Sequence, residues 1–390
     1  MTSDASVLEA NRSIPRRLAA NLKHKSGKAV INGSVIFRQV KHDLFGSKDA
    51  QDASTLTYTW LADQFGHITL GFILTLLLSV VLSVVWAAIV VAVLITVKEA
   101  YDYFSELDRR QAAFPFDSTD VLLNCATSCI YTWIGAALAV VAVRIPIWSL
   151  LAAPLLVVIS LPLAAYWLRR KIALQQSDAP FLYRLANFPQ NFDGPDGPGI
   201  ISSLVDHAAP RLRHVVLTGP LDSGKTSLAV GAATEFGYRV GLCRFISLVK
   251  LAQTGFSPEP GMTERRGLHA GTTFQDGRTI WPLGTVELLI IDDAGGGVPE
   301  LGIDPSEIKQ ALLAQLGNEF FSLMRERRTL WVAGTNDCAE KWHELVAALL
   351  TDNDLPRVGK VALRDDLQSA LRTGPLAAAM ARLRRGLPHR

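Results

Sequence analysis

The chain has 390 residues, and its 39 Lys and Arg against 36 Asp and Glu leave a formal charge of only +3. Charged residues make up 19% and hydrophobic residues 49% of it, with a mean hydropathy of +0.22, whereas ordinary soluble domains carry about 25% charged residues. This excludes a disordered chain, which is poor in apolar residues, gives no overall basic charge that would indicate nucleic acid, and predicts that part of the chain lies in lipid.

Residues 1–66 are polar, with short apolar patches such as Val35-Ile36-Phe37. Met1–Leu22 contains no apolar h-region of the kind a cleaved signal peptide needs. The segment reads as a small domain or a tail, and it carries basic residues from Arg12 to Lys41.

Residues 67–171 hold the oily excess. Ile68 to Val97 runs without a charge, and as one helix of roughly 30 residues it would be about 45 Å long. The expectation is a single transmembrane helix over 68–97, tilted or emerging at one end, since a span needs about 20 residues and two do not fit easily. A second apolar block, Val121 to Leu168, is interrupted only by Arg144, with Pro146 just beyond. These two residues predict a tight turn that divides the block into spans 121–143 and 145–168. Arg169-Arg170-Lys171 closes it as a basic stop on the cytoplasmic side. Lys98, Arg109 and Arg110 argue that the 98–120 loop is also inside, so three spans would leave the N-terminus outside. The basic residues between Arg12 and Lys41 argue the opposite, with two crossings and one half of the second block re-entrant or interfacial. No buried acid–base pair marks a transport pathway, so the helices read as an anchor or an oligomerisation platform.

Four cysteines, Cys125, Cys129, Cys243 and Cys338, form no CxxC pair, which excludes an evident zinc site or disulfide framework. Cys125 and Cys129 lie four residues apart in an apolar run and read as small buried residues on one helix face. Residues 172–199 read as a linker, because Phe188–Gly199 (FPQNFDGPDGPG) is turn chemistry; Asp193 and Asp196 are read there as turn formers.

From about residue 200 to 370, strand and helix signals alternate. Short β-rich runs occur at Arg213–Leu217, Tyr238–Phe245, Leu288–Ile291 and Thr329–Ala333, and Glu307–Arg325 has helical spacing. The pattern predicts an α/β domain with a parallel sheet and helices on both faces. Between the first strand and a helix stands Gly219-Pro220-Leu221-Asp222-Ser223-Gly224-Lys225-Thr226, followed by Ser227. This is the GxxxxGK[ST] spacing of a phosphate loop in the context it requires. Glycines let backbone N–H groups face phosphate oxygens, and the helix N-terminus favours the anion. Lys225 supplies a point charge to the phosphates, and the Thr226 hydroxyl is a Mg²⁺ ligand. Further on, Leu288-Leu289-Ile290-Ile291 ends in Asp292-Asp293. A buried strand delivers its terminal acid to the ligand edge of the sheet, so Asp292 is the expected metal ligand and Asp293 the group that activates water.

Taken together, Gly219–Thr226, Leu288–Asp293 and Leu330–Asn336 resemble the Walker A, Walker B and sensor-1 elements of AAA+ ATPases, and LLIIDDAG is similar to the helicase-loader and transposition-helper branch. The resemblance covers about residues 200–365. It implies a P-loop NTPase fold, ATP and Mg²⁺ as cofactors, and Asn336 (with Thr335 nearby) as the group that reads the γ-phosphate; the alternative for Thr335-Asn336 is a helix N-cap. It also implies an arginine finger, for which Arg357 is best placed and Arg364 second; a solvated arginine is the alternative. The sequence departs from the family at Asp293, where a Glu usually stands, and in its C-terminus, too short for the usual helical lid. The basic tail 371–390, with Arg382, Arg384 and Arg385, is either a substitute for the lid's arginine or a lipid contact. The long stretch Thr254 to Gly284, with Arg265, Arg266, His269, Arg278 and Trp281, faces a partner or is a solvated loop. A second resemblance, to the membrane GTPase of the signal-recognition-particle receptor β-subunit, rests on the same loop and on Asp292–Gly295, but a guanine-reading NKxD is missing.

The expectation is thus an integral membrane protein with a cytoplasmic ATPase domain, a homo-oligomer that uses ATP to remodel or assemble an unidentified protein partner in contact with membrane lipid. The alternative is a switch that binds nucleotide and turns it over little. Nucleic acid is not indicated.

Overall fold

The computed structural model describes residues 31–45, 55–108, 114, 118–189, 191–206, 212–254, 283–294, 305–351 and 358–364. The chain divides into two compact units, Met1–Arg110 with Phe116–Ile172, and Gln111–Pro115 with Ala173–Arg390.

The first unit is helical, with α1 Gly33–Phe45, α2 Leu56–Leu78, α3 Val84–Asp108, α4 Ser118–Arg144 and α5 Pro146–Gln175. Thr55 is the N-cap of α2, its side chain accepting a hydrogen bond from the Tyr58 N–H at 3.1 Å, the usual way a helix satisfies its first donors. The expected single span over 68–97 is corrected: the run breaks at residues 79–83 into α2 and α3. Serines make the break without charge. The Ser79 hydroxyl donates to the Leu76 carbonyl at 2.6 Å, and the Ser83 carbonyl accepts the Ala87 N–H at 2.9 Å to start α3. The first candidate span accordingly begins at Leu56, inside the segment read as a polar N-terminus.

Three helices, Leu56–Leu78, Val84–Ser105 and Ser118–Arg144, are long and apolar enough to cross a membrane. Arg144 and Pro146 do separate α4 from α5, with the proline at the first helical position, where its missing N–H costs nothing. α2 and α4 meet through glycines. A Cβ on Gly71 would stand 2.0 Å from the Thr132 carbonyl oxygen, and one on Gly135 would stand 2.0 Å from that of Ile68. Small residues allow such an approach between membrane helices. Polar groups in the interior are partnered in part: Trp167 Nε1 donates to Thr127 Oγ1 at 2.8 Å. Cys125 and Cys129 are buried thiols.

The second unit is built on five parallel strands, β1 His214–Thr218, β2 Cys243–Ser247, β3 Leu288–Asp292, β4 Arg328–Val332 and β5 Val358–Ala362, in the order β2-β3-β4-β1-β5. Every residue of β1 and β3 is buried, which requires cover on both faces of the sheet. Around it pack α6 Gly197–Val205, α7 Lys225–Tyr238, α8 Leu248–Thr254, α9 Pro305–Arg325 and α10 Ala339–Leu350. Of the segment read as a linker over 172–199, the first residues end α5 at Gln175, and the described residues beyond it are folded into this unit instead. Phe188 and Phe192 are 1% and 6% exposed and stack edge-on with Phe114. The Ser177 carbonyl accepts the Phe245 N–H at 2.7 Å. Phenylalanines among the prolines and glycines give that stretch enough apolar surface to pack.

Candidate functional site

The turn from β1 into α7 carries two left-handed residues, Asp222 at φ 61° and Gly224 at φ 89°. Alternating left- and right-handed residues turn successive N–H groups the same way and form a concavity suited to an anion. Gly224 is the α7 N-cap, so the first N–H groups of the helix, those of Lys225, Thr226 and Ser227, have no partner within it. Gly219 and Ser223 are buried, while Leu221 and Asp222 are exposed. The Lys225 ammonium donates to the carbonyls of Gly219 and Pro220. Its partly buried position pushes its pKa down, against the charges of Asp292 and Asp222.

β3 brings its terminal acid to the start of α7. Thr226 Oγ1 donates to Asp292, 3.2 Å from Oδ2 and 3.4 Å from Oδ1. Asp292 is 7% exposed, and that burial raises its pKa, with the Asp293 N–H pulling the other way. Asp293 is exposed and left-handed, φ 53°, so the chain turns sharply at the second carboxylate and the two acids have different surroundings.

β4 lies between β1 and β3, and the residues after it are stitched to both neighbours. The Gly334 carbonyl accepts the Gly219 N–H at 3.2 Å, and the Val332 carbonyl accepts the Ala294 N–H at 2.9 Å. Asn336 follows at once. Its Oδ1 accepts the Thr218 hydroxyl at 2.9 Å, and its Nδ2 donates to the Leu363 carbonyl at 2.9 Å. The fold therefore gathers the 219–224 loop, Lys225, Thr226, Asp292, Asp293 and Asn336 at the C-terminal ends of three adjacent strands, the edge where open α/β sheets hold ligands.

A residue the sequence did not single out joins them. Asn191 is 2% exposed, and its Nδ2 donates to the Ser223 carbonyl at 3.2 Å and the Arg364 carbonyl at 3.1 Å. One side-chain amide thus clamps the loop to the chain beyond β5. Phe192 forms a bridge with Leu363, which fixes Asn191 in place. A lone Asn in a Pro/Gly stretch reads as a turn residue, and only the sheet pairing gives it another role. Asp193 lies 3.9 Å from Arg364 at an exposed position, and Asp196 precedes α6, in keeping with turn roles for both acids. Arg357, the Arg265–Arg278 stretch, Trp281 and the tail with Arg382, Arg384 and Arg385 lie outside the described residues.

Oxygen donors dominate the pair at the edge, a hydroxyl and a carboxylate, which suits a hard cation such as Mg²⁺. Among the described residues no three His, Cys, Asp or Glu side chains come together as a metal cluster. A cation here would need phosphate oxygens or water to complete its shell, as Mg²⁺ commonly does. No protein-family model matches the chain, and no curated protein matches it.

Proposed function

We propose that the second unit is an AAA+-like P-loop ATPase and that the protein is a membrane-anchored machine that couples ATP binding and hydrolysis to a conformational change or to assembly of a partner protein. The observation that carries the reading is the Thr226–Asp292 hydrogen bond beside the left-handed loop, with Asn336 reaching the same edge from β4. In this reading the loop N–H groups and Lys225 hold the β- and γ-phosphates. Thr226 and Asp292 hold Mg²⁺, whose chemistry is to neutralise charge on the phosphates. Burial acts against both the ammonium of Lys225 and the carboxylate of Asp292; a phosphate and a cation bring the opposite charge to each. Asp293 orients the attacking water, and Asn336 contacts the γ-phosphate. Arg357 is the proposed finger for a neighbouring subunit in a homo-oligomer.

We read the membrane topology from helix pairing, counting α5 as a fourth crossing beside the three candidate spans. A hairpin of α2 and α3 returns the chain to the side it left, and α4 with α5 does the same. Residues before α2 and after α5 then share a side. The basic residues at both places, Arg12 to Lys41 and Arg169-Arg170-Lys171, favour the cytoplasm for that side.

Steady-state phosphate release by the purified full-length protein tests the activity. Turnover that Lys225→Ala removes, and that Asp293→Asn removes while ATP still binds, supports an ATPase. Tight binding with no release from the unmodified protein selects the nucleotide switch, the reading favoured by an Asp where the family has Glu.

A further inference from the structure

We infer that α1, Gly33–Phe45, lies flat in the headgroup region of an anionic leaflet, with Phe37, Leu44 and Phe45 in the lipid and Arg38 and Lys41 on the acidic headgroups. The inference rests on the membrane reading of the helical unit and adds a second mode of lipid contact to it.

α1 is amphipathic the wrong way round for a soluble helix. Its buried residues are polar: Gln39 is 8% and Asp43 1% exposed. Its exposed residues include Phe37 at 70%, Leu44 at 54% and Phe45 at 81%. A helix in water turns its apolar stripe inwards; a helix that buries its polar side and offers aromatics outwards is suited to an apolar surrounding on its outer side.

The inward face is built. Asp43 accepts Gln39 Nε2 at 3.0 Å and the Thr55 hydroxyl at 2.8 Å, and it also accepts the Thr57 hydroxyl. Thr55 is the N-cap of α2, so this carboxylate ties α1 to the first turn of a candidate span. A second tie comes from the far end of the unit's sequence: Arg169 Nε donates to the Ile31 carbonyl, just before α1, at 3.2 Å. Arg169 opens the basic stop of α5. α1 is therefore held level with the start of α2 and the basic end of α5, the level of a membrane surface.

Charge identifies the occupant. Arg38 and Lys41 are exposed, and Asp43, the sole acid between residues 33 and 45, is buried. The outer face is thus apolar and cationic with no exposed acid. That combination suits an anionic lipid interface, where apolar side chains enter the acyl boundary and basic residues add electrostatic attraction.

Depth quenching in the full-length protein tests this. Single cysteines replace Phe37 or, on α3, the exposed Val93. Each carries an environment-sensitive fluorophore, with the identically labelled unsubstituted protein subtracted for native thiols. The protein is reconstituted into phosphatidylcholine vesicles with or without phosphatidylglycerol, in which the acyl chains are brominated. The proposal expects bromolipid to quench the probe at 37 roughly twofold when phosphatidylglycerol is present and less without it. Arg38→Glu with Lys41→Glu removes that quenching and leaves the probe at 93 quenched. Aqueous iodide quenching at 37 with no bromolipid effect overturns the proposal, as does protection from both quenchers, which would place a second copy or another protein on α1. Equal quenching with and without phosphatidylglycerol overturns the anionic part of the claim. Loss of bromolipid quenching at 93 overturns the membrane reading itself and is thereby distinct from failure at 37.

Discussion

At Lys225, Thr226 and Asp292 the residue types are those that the proposed phosphate and metal chemistry calls for at that spacing, so these positions stand out in the sequence. Asn191 leaves no such trace. Its importance comes from the sheet, which brings residues 191, 223 and 364 together, and no local pattern encodes that. Asn191→Ala removes two hydrogen bonds that hold the loop's Ser223 carbonyl. A net loss of about 1 kcal/mol in loop order is expected, read as roughly fivefold weaker ATP binding with unchanged dependence on Mg²⁺. Equal affinity in a titration would show that the amide does not position the loop. His214 opens β1 and bonds the Thr329 hydroxyl at 3.1 Å. Burial, helped by the Arg213 charge, lowers its pKa to about 4. Its folded pKa lies below its unfolded value of about 6.5, so the unfolded chain binds the extra proton between those values. Stability is complete above the unfolded value and falls as pH drops through that window. At about pH 5 the loss is roughly 2 kcal/mol. Melting curves of the full-length protein should fall between neutral pH and pH 5, and His214→Gln should flatten that fall; an unchanged slope would assign the effect to other groups.

At the scale of elements, apolar runs are easy to find and their interruptions are not. The run from Ile68 to Val97 has neither charge nor proline to announce a break, and the serines at 79 and 83 end and start helices through backbone groups that composition does not register. Arg144 and Pro146 announced the next turn because they combine a charge with a ring that cannot continue the ladder. In the second unit, the alternation of strand and helix pointed to the parallel sheet, while β5, the short VGKVA, carried too little signal to be expected. The α2–α4 contact depends on Gly71 and Gly135. Gly71→Leu forces a side chain into the Thr132 carbonyl, and overpacking of this kind costs about 1–3 kcal/mol. Thermal unfolding in detergent should shift down by several degrees. An unshifted transition would mean that the two helices do not rely on this approach.

Across the whole molecule, the average composition conceals two unlike units, one rich in candidate membrane helices and one an α/β sheet. The mean hydropathy belongs to neither. Their division near Ile172 shows that the stretch of prolines and glycines after α5 does not act as a spacer, because its phenylalanines fold into the second unit and its Asn191 holds the loop. The chain that follows α5 is thereby part of the proposed nucleotide site. Equilibrium titration of the detergent-solubilised full-length protein asks whether this site binds ATP with Mg²⁺. Saturable ATP binding that strengthens with Mg²⁺ is expected, with a loss of at least about tenfold in Lys225→Ala, the removal of one charge-assisted contact. Identical affinity in the unmodified and Lys225→Ala proteins would contradict it.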